Sequence, residues 1–405
     1  MTTRNIEKLL KDEDAAYSEV QELRKVFSNF GCLMDNVSVK SKAGALERAV
    51  SVLQSFFGKL DWRTRFQSMD AGHGIGHLTR DYVNALMLFS KLETRPKDIF
   101  IGFLGGVLHD VGCALVHRFE ESHRVVRHAE AAALFLKETL YDVGLNEAET
   151  LLVSYSVAAH THYLRESEVK CSDGVTRKVR PYDDIAHFGP LWPVWYTRWV
   201  DRLDCNGPCF IPRHYLTLTD DHKDFAGEDV GFVQFKFADQ MRPLLRPKEE
   251  QNNPPQTMLE HAKMFAESQS NDSPYGKYDF GRMIELRSEF REILEHIIYK
   301  VKNPRQSEGE DRQWHIQRFT NFLSDTVEPS CSGERAAANL EIQFKKLPAV
   351  NQDAWFSGFE TVITDYTLWF LRCQVVLDQI PPNWLTLPGV TNDLRDFISG
   401  SSEPR

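Results

Sequence analysis

The residues in this sequence whose types and spacing could do chemistry are histidines and aspartates that recur within or beside apolar helical segments. The stretch "DAGHGIGHLTRDY" places His73 and His77 four residues apart, which is about one helical turn. The stretch "GGVLHDVG" sets His109 and Asp110 among small and aliphatic residues. An ionised aspartate among apolar groups is strongly disfavoured unless it is paired or coordinates a cation. The pattern therefore indicates metal binding.

Three later segments continue the series. "RHAEAAALFLKETL" contains His128, "YSVAAHTHYL" contains His160, and "WVDRLDCNG" contains Asp201. Imidazole and carboxylate together suit divalent iron, manganese, cobalt or zinc. A single histidine of this kind is more often a core side chain, but buried His and Asp on several helices favour a shared site.

Four histidines and two aspartates are too many ligands for one tetrahedral ion that must also bind water. They suit two adjacent ions that share a carboxylate, and Asp110 is the natural bridge. The predicted cofactor is therefore two divalent metal ions. Manganese, iron, cobalt, zinc and magnesium all stay open as their identity.

The elements that must position these side chains are predicted to be helices, because apolar residues recur at helical spacing along most of the chain. Asp98 is the predicted N-cap of the helix that carries the His-Asp pair. Asn146, followed three residues later by Glu149, predicts a capping box ahead of a later helix. The glycines at 71–76 are expected to let substrate and solvent reach the mouth of the helix that follows them.

The predicted exception is residues 168–180, where two short alternating runs flank Ser-Asp-Gly and indicate a β-hairpin. Its basic residues, Lys170, Arg177, Lys178 and Arg180, could form a flap that steers phosphate inward. An exposed charged insertion is the simpler explanation of the same residues. The predicted fold class is therefore all-α, with a small β-hairpin insertion and additional C-terminal helices.

The length of 405 residues allows two domains or one large one. We expect N-terminal helices that pack on the core at 1–65, a metal-binding catalytic core at 66–245, and a C-terminal helical extension at 246–405. Residues 216–405 show helical periodicity, but their sequence suggests no chemistry.

The composition limits the partners. A net charge of -10 argues against stable nucleic-acid binding and against binding to a membrane surface. An anionic substrate stays compatible, because bound metal ions reverse the local field. No run of 18 apolar residues predicts a membrane span, and seven cysteines without framework spacing suit a reducing compartment. We therefore expect a cytoplasmic protein, and a homo-oligomer stays open.

The ordered series resembles the HD superfamily of metal-dependent hydrolases, whose core is a His, a His-Asp doublet and a distal Asp. Members with two metals add two further histidines between the doublet and the distal Asp. "HGIGHLTRDYVNAL" resembles the family's first helix, "LGGVLHDVG" its doublet helix, and "WVDRLDCNG" its closing helix. The resemblance covers roughly residues 70–215 and implies an HD-domain helical bundle.

The resemblance also implies roles for individual residues. His73 matches the position of a general acid in related phosphodiesterases, with a phosphate contact as the alternative role, and Asp110 is both ligand and catalytic residue. Asp204 is expected to support the ligands or cap a helix rather than to be a ligand. The implied metal ligands are His77, His109, Asp110, His128, His160 and Asp201.

One departure concerns the residue after "HDVG", where many family members have a lysine that touches phosphate and this chain has Cys113. Neutralising a bound phosphate would then fall to the metals and to other polar groups. For each arginine a solvated or helix-pairing role stays open. His162 cannot face the same way as His160 on a helix and is only the second choice of ligand there. The candidate substrate contacts are Arg80, Arg127, His162, Arg165 and Arg202.

The resemblance implies a phosphohydrolase that cleaves a phosphodiester or phosphomonoester. The expected partner is a phosphorylated small molecule such as a nucleotide, cyclic nucleotide or cyclic dinucleotide. A metal-activated hydroxide would attack phosphorus, and His73 would protonate the leaving oxygen. Two alternatives stay open. One is an HD-type di-iron oxygenase that cleaves a carbon–carbon or carbon–phosphorus bond, and the other is a non-catalytic module that senses a nucleotide or binds a partner.

Overall fold

The computed structural model is predominantly helical, as the all-α prediction requires. The predicted boundary at 245/246 lies outside the described residues, so the division into three segments stays a prediction. The described residues are 13–67, 69, 72–115, 121–161, 167–170, 176–179, 191–205, 209, 212–213, 216, 312–345 and 349–399.

Eight helices fall in the first half of the described chain, together with three short 3-10 turns. The helices are α1 Glu13–Asp35, α2 Lys42–Gly58, α3 Trp62–Gln67, α4 Ile75–Lys91, α5 Pro96–Leu108, α6 Glu121–Thr139, α7 Glu147–Ala158 and α8 Trp192–Cys205. The 3-10 turns are Val111–Ala114, Leu140–Val143 and Ala159–Thr161.

The second half of the described chain adds four helices, a π-helical segment and one 3-10 turn. These are α9 Arg312–Asn321, the π-helix Phe322–Val327, α10 Cys331–Phe344, α11 Ala349–Leu377, the 3-10 turn Pro382–Trp384 and α12 Leu394–Ser399.

Two short strands, β1 Ser167–Lys170 and β2 Thr176–Val179, pair antiparallel inside the segment predicted as a hairpin. Ser167 lies opposite Val179, and Lys170 lies opposite Thr176. Residues 171–175 and Arg180 lie outside the described residues. The flap therefore stays a prediction.

Of the two helix N-caps predicted from the sequence, the structure confirms one and contradicts the other. The Asn146 Oδ1 accepts from the Glu149 amide at 2.9 Å, and the Glu149 Oε2 accepts from the Asn146 amide at 3.1 Å, which confirms the capping box. The prediction of Asp98 as an N-cap is wrong, because α5 begins at Pro96 and its N-cap is Arg95. Proline has no amide hydrogen and a fixed φ, which favours it at the first helical position.

Helix α5 lies at the centre of the core, and every residue from Asp98 to Leu108 is buried. It packs closely on α8, because a Cβ on Gly106 would lie only 2.6 Å from the Val200 Cβ. This close approach brings His109, directly after α5, beside Asp201 of α8. The packing of two helices thus sets the spacing of side chains that are distant in sequence.

The described C-terminal segment, residues 312–399, shares one apolar core with the earlier helices. The Tyr82 hydroxyl donates to the Trp384 carbonyl at 2.9 Å, and the Arg63 Nε donates to the Val390 carbonyl at 2.8 Å. These contacts fix the C-terminal helices against α3 and α4. Helix α4 begins at residue 75 and carries His77.

The described glycines near His73 have a packing role that the sequence did not reveal. Gly72, Gly74 and Gly76 are buried, and the expected path for substrate stays a prediction. A Cβ on Gly76 would lie 2.1 Å from the Val327 carbonyl oxygen, and the Gly76 amide donates to the Glu328 Oε2 at 2.8 Å. These glycines make room for the C-terminal segment, whose carboxylate binds an amide that the first turn of α4 leaves without a partner.

Replacing Gly76 with alanine is therefore expected to destabilise the fold by about 1–3 kcal/mol, because the new methyl group overlaps Val327. The measurement is the free energy of unfolding from denaturant titration. Gly31→Ala is the control, since a Cβ there meets nothing within 4 Å and alanine is the better helix former. Equal stability of the two variants would contradict the packing described here.

A second prediction concerns Glu149, whose carboxylate accepts from the Arg48 Nη2 at 2.7 Å and from the Ser38 amide at 3.0 Å. Burial raises the carboxyl pKa, but Arg48 and the amides outweigh it, so the folded-state pKa is below the ordinary 4.5. The stabilisation is therefore complete above that ordinary pKa and is lost as pH falls through the lower folded value.

Glu149→Gln should lower the free energy of unfolding at pH 7 by about 1–3 kcal/mol, and the deficit should shrink in acid. Glu147→Gln, at an exposed position in the same helical turn, should change little. A deficit that does not depend on pH would contradict the ionic role of Glu149.

Candidate metal centre

The six predicted ligands are all buried and meet in one place. They come from α4, from the residues that follow α5, from α6, from the 3-10 turn that follows α7, and from α8. Asp201 lies at the edge of the group, with its Oδ1 3.8 Å from the Nε2 atoms of both His77 and His109. Five separate segments thus bring donor atoms to a common interior point.

Asp110 lies between two pairs of imidazoles. Its Oδ2 is 3.2 Å from the Nε2 of His77, and its Oδ1 is 3.4 Å from the Nε2 atoms of His109 and His128. The Nε2 atoms of His128 and His160 are 3.0 Å apart. A carboxylate that faces donors on both sides has the arrangement needed to bridge two ions.

Neighbouring groups fix the orientation of three imidazoles. The Nδ1 atoms of His109 and His160 each bond to the backbone carbonyl three residues earlier, at 2.7 and 2.6 Å. The Nδ1 of His77 bonds to the Asp204 Oδ2 at 2.8 Å. Since carbonyl and carboxylate oxygens only accept, each Nδ1 is the donor. In the neutral imidazoles the Nε2 lone pair therefore points into the site, as metal binding requires.

Several buried polar atoms of the site have no hydrogen-bond partner within the described part of the chain. They are the Nε2 atoms of His77 and His109 and both carboxylate oxygens of Asp81. Leaving such atoms buried and unsatisfied is costly, and a divalent cation would bind all of them. The groups able to hold an ion are His77–Asp81–His109, His109–Asp110–His160 and Asp110–Cys113–His128, each with ligand atoms within 4.8 Å of one another.

Two members of these groups, Asp81 and Cys113, were absent from the predicted ligands. Asp81 follows His77 by four residues and so shares its helix face, a signal that the sequence did contain. Cys113 occupies the position where a lysine was expected. Nothing in its spacing distinguished it from an ordinary core cysteine.

The charged groups of the site shift one another's pKa values. Burial alone would lower the His109 pKa, but Asp110 and Asp201 outweigh it and raise this pKa to about 10. Burial would raise the Asp110 pKa, yet the facing histidines hold it well below its ordinary value. Burial and the positive charges of His109 and His128 push the His160 pKa well down. Asp110 is thus ionised, and the imidazole of His160 is in the neutral form that binds metals.

Asp204 lies behind His77 rather than in the ligand group, as the sequence suggested. It accepts from the Arg80 Nε at 2.7 Å and from the Arg213 Nη1 at 3.3 Å. Arg80 is fully buried, and its Nη1 donates to the Val327 carbonyl at 2.5 Å. The prediction that Arg80 contacts substrate phosphate is therefore corrected, because its guanidinium holds Asp204 in place instead.

The other predicted substrate contacts divide into two groups. Arg202 is buried, with its Nε 3.9 Å from the Asp201 Oδ2, so it faces the carboxylate rather than the surface. The side chains of Arg127, His162 and Arg165 lie outside the described residues. Their predicted contacts stay predictions.

His73 differs from the other site histidines in being partly exposed. Its ring centroid lies 6.4 Å from that of His77 and 6.2 Å from that of His128. The imidazole therefore lies beside the buried group and in contact with solvent.

Comparisons with protein-family models, with curated proteins and with solved structures found no match to this chain. The structure itself shows a helical protein with a buried His/Asp group that could hold a metal. This group is compatible with an HD-type site. Among the described helices, none is both long and apolar enough to cross a membrane.

The contact between Asp204 and His77 gives a prediction for metal affinity. In Asp204→Asn, the amide can donate to Nδ1 and move the imidazole proton to Nε2, which removes the lone pair that binds an ion. Loss of such an outer partner typically weakens metal binding about 10–100-fold. Calorimetric titration of the metal-free protein with Mn²⁺ measures the change, and circular dichroism checks the fold. Unchanged affinity in a folded variant would show that Asp204 does not control His77.

Proposed function

We propose that this protein is an HD-type metal-dependent phosphohydrolase and that α4–α8 form its HD bundle. The observation that carries the proposal is that ligand atoms from five segments meet around Asp110. The order of these residues along the chain, a His, a His-Asp doublet, two further His and a distal Asp, also follows that superfamily. The order of these residues in the sequence and their meeting in space together indicate an HD-type site more specifically than either observation alone.

The residues present suit two ions. His77 and His109 would hold the first, with Asp201 nearby, and His128 and His160 would hold the second. Asp110 would contact both ions. When bound, such ions lower the pKa of water toward neutrality and stabilise negative charge that develops on phosphate oxygens.

The protein's own side chains supply orientation and proton transfer. Asp204 keeps the Nδ1 proton of His77 in place, so that the Nε2 lone pair stays directed into the site. The carboxylate of Asp110 stays ionised. The imidazole of His160 stays neutral, so its Nε2 lone pair is available to bind an ion. His73, at the solvent edge, gives a proton to the oxygen that leaves phosphorus. Such general acid catalysis typically contributes about 10²–10⁴-fold in rate.

The proposed substrate is a phosphodiester or phosphomonoester of a nucleotide, cyclic nucleotide or cyclic dinucleotide. Two buried arginines beside the centre, Arg80 and Arg202, face carboxylates within the protein. Neutralising the phosphate is therefore assigned to the metal ions and to other predicted contacts, such as Arg127 or Arg165. This distribution suits a small anionic substrate in a protein of net charge -10.

A second candidate is a di-iron oxygenase. One donor group suits iron at the first position, since His77, His109 and Asp81 supply two histidines and one carboxylate, the set that holds the single iron of many non-haem Fe(II) oxygenases. The two functions differ in their metal and co-substrate. Turnover that requires iron and dioxygen would favour the oxygenase, whereas hydrolysis supported by manganese without dioxygen favours the phosphohydrolase.

The test of the proposal uses Asp110→Ala and His73→Ala with bis-(p-nitrophenyl) phosphate and Mn²⁺. The first variant should lose both hydrolysis and bound metal, because the shared ligand is gone. The second should keep its metal while kcat falls about 10²–10⁴-fold, because only the proton donor is gone. Coloured phenol release and metal content by mass spectrometry are the two measurements.

Hydrolysis that survives in a metal-free Asp110→Ala protein would rule out the metal mechanism. If the metal-loaded natural protein cleaves neither this ester nor any member of a nucleotide and cyclic-dinucleotide panel, the phosphohydrolase proposal fails. Loss of metal in His73→Ala would instead move that residue from acid to ligand.

A further inference from the structure

We infer that Asp81 is a direct ligand of the first metal ion, which is then bound by His77, Asp81 and His109 in addition to the shared Asp110. The inference rests on the proposed two-metal centre. It adds to that centre a residue that belongs to neither the predicted ligand series nor the HD resemblance. Its consequence is a first ion with more carboxylate ligands than the second.

Geometry places Asp81 in the ligand group. It lies one helical turn beyond His77 on α4, and its Oδ2 is 3.0 Å from the His77 Nε2. The Asp110 Oδ2 is 3.2 Å from the same nitrogen. Two ligands bound at right angles to one ion, each about 2.1 Å from it, are about 3 Å apart. Both separations are therefore those of neighbouring ligands on one ion.

The surroundings of Asp81 provide little to balance a negative charge on its carboxylate. Its side chain is fully buried, and neither carboxylate oxygen has a hydrogen-bond partner among the described residues. In that part of the chain its ion pairing is with His77 alone. By contrast, Asp204 is paired with Arg80 and Arg213. A buried carboxylate in this position is disfavoured unless a cation or a proton compensates it.

A divalent ion satisfies this site better than a proton does. The Nδ1 hydrogen of His77 is donated to Asp204, so its Nε2 can face the Asp81 carboxylate only across a second proton or a metal ion. A proton on Asp81 would satisfy one contact and leave the His109 Nε2 without a partner. One ion would bind all three residues together, since their ligand atoms lie within 4.8 Å of one another.

The two metal positions therefore differ in charge. Asp81 and Asp110, with Asp201 nearby, face the first position. At the second position His128 and His160 would bring no negative charge as ligands, and Asp110 is shared with the first. Each additional carboxylate strengthens the attraction for a divalent cation. The first ion should bind more tightly than the second, and the two should load in sequence.

The experiment titrates the metal-free, full-length protein with Mn²⁺ in a calorimeter. The natural protein should bind two ions in two resolved steps. In Asp81→Asn the tighter step should weaken at least 10-fold, while the weaker step changes less than 3-fold. Asp98→Asn is the matched control, because Asp98 is equally buried but is paired with Arg95 away from the centre, and it should leave both steps unchanged.

A second readout separates a ligand from a merely structural residue. Without metal, Asp81→Asn should be at least as stable to heat as the natural protein, because it removes a buried carboxyl group that has no hydrogen-bond partner among the described residues. With Mn²⁺ its increase in Tm should be smaller. A metal-free Asp81→Asn protein that is less stable but binds both ions normally would overturn the inference.

The outcomes distinguish this inference from the proposed function. If the natural protein binds two ions and Asp81→Asn binds them equally well, Asp81 is not a ligand and the proposed centre stands. If the natural protein binds no Mn²⁺, Fe²⁺ or Zn²⁺, the centre and the proposed function fail together. Should Asp81→Asn not fold, Asp81→Glu decides the matter. A shifted tighter step in that variant supports the inference, and an unshifted one contradicts it.

Discussion

Buried imidazoles whose Nε2 atoms face carboxylate oxygens are the constraint on which this structure depends. The Nδ1 atoms of His77, His109 and His160 are committed to a carboxylate or to backbone carbonyls. Their remaining nitrogens point toward Asp110 and toward one another. Lone pairs that face carboxylates repel them unless a proton or a metal ion lies between. The interior of α4–α8 is therefore arranged for cations, and the rest of the molecule keeps that arrangement fixed.

The C-terminal segment contributes to this arrangement from a distance of about 250 residues along the chain. Its Val327 carbonyl binds Arg80, Arg80 binds Asp204, and Asp204 binds His77. The Glu328 carboxylate binds the first turn of α4. A region without recognisable chemistry of its own thus fixes the start and the orientation of the helix that carries His77.

Much of the site could be predicted from the sequence, because each ligand is a polar residue within or beside an apolar segment. The capping box at Asn146 was predictable for a similar reason, since it depends on residues only three positions apart. In both cases the residues that determine the feature are close together in the sequence. The helical fold class followed from periodicity in the same way.

The features that the sequence did not reveal depend on partners far along the chain. Arg80 resembled a surface cation until the structure placed Asp204 and Val327 around it. The glycine at position 76 indicated that another group approaches the backbone closely. It did not indicate that this group is Glu328. Asp81 is intermediate, because its helical spacing from His77 was visible, yet an aspartate beside an arginine on a helix is usually solvated. Its burial separates these two interpretations.

The central claim is tested most directly by locating metal ions in crystals of the manganese-loaded protein, using anomalous diffraction at the manganese absorption edge. The account predicts two peaks about 3.5–4 Å apart. One should lie among His77, Asp81 and His109, the other beside His128 and His160, and both within bonding distance of Asp110. A map with no peak inside this group, or with manganese only at other places on the protein, would contradict it.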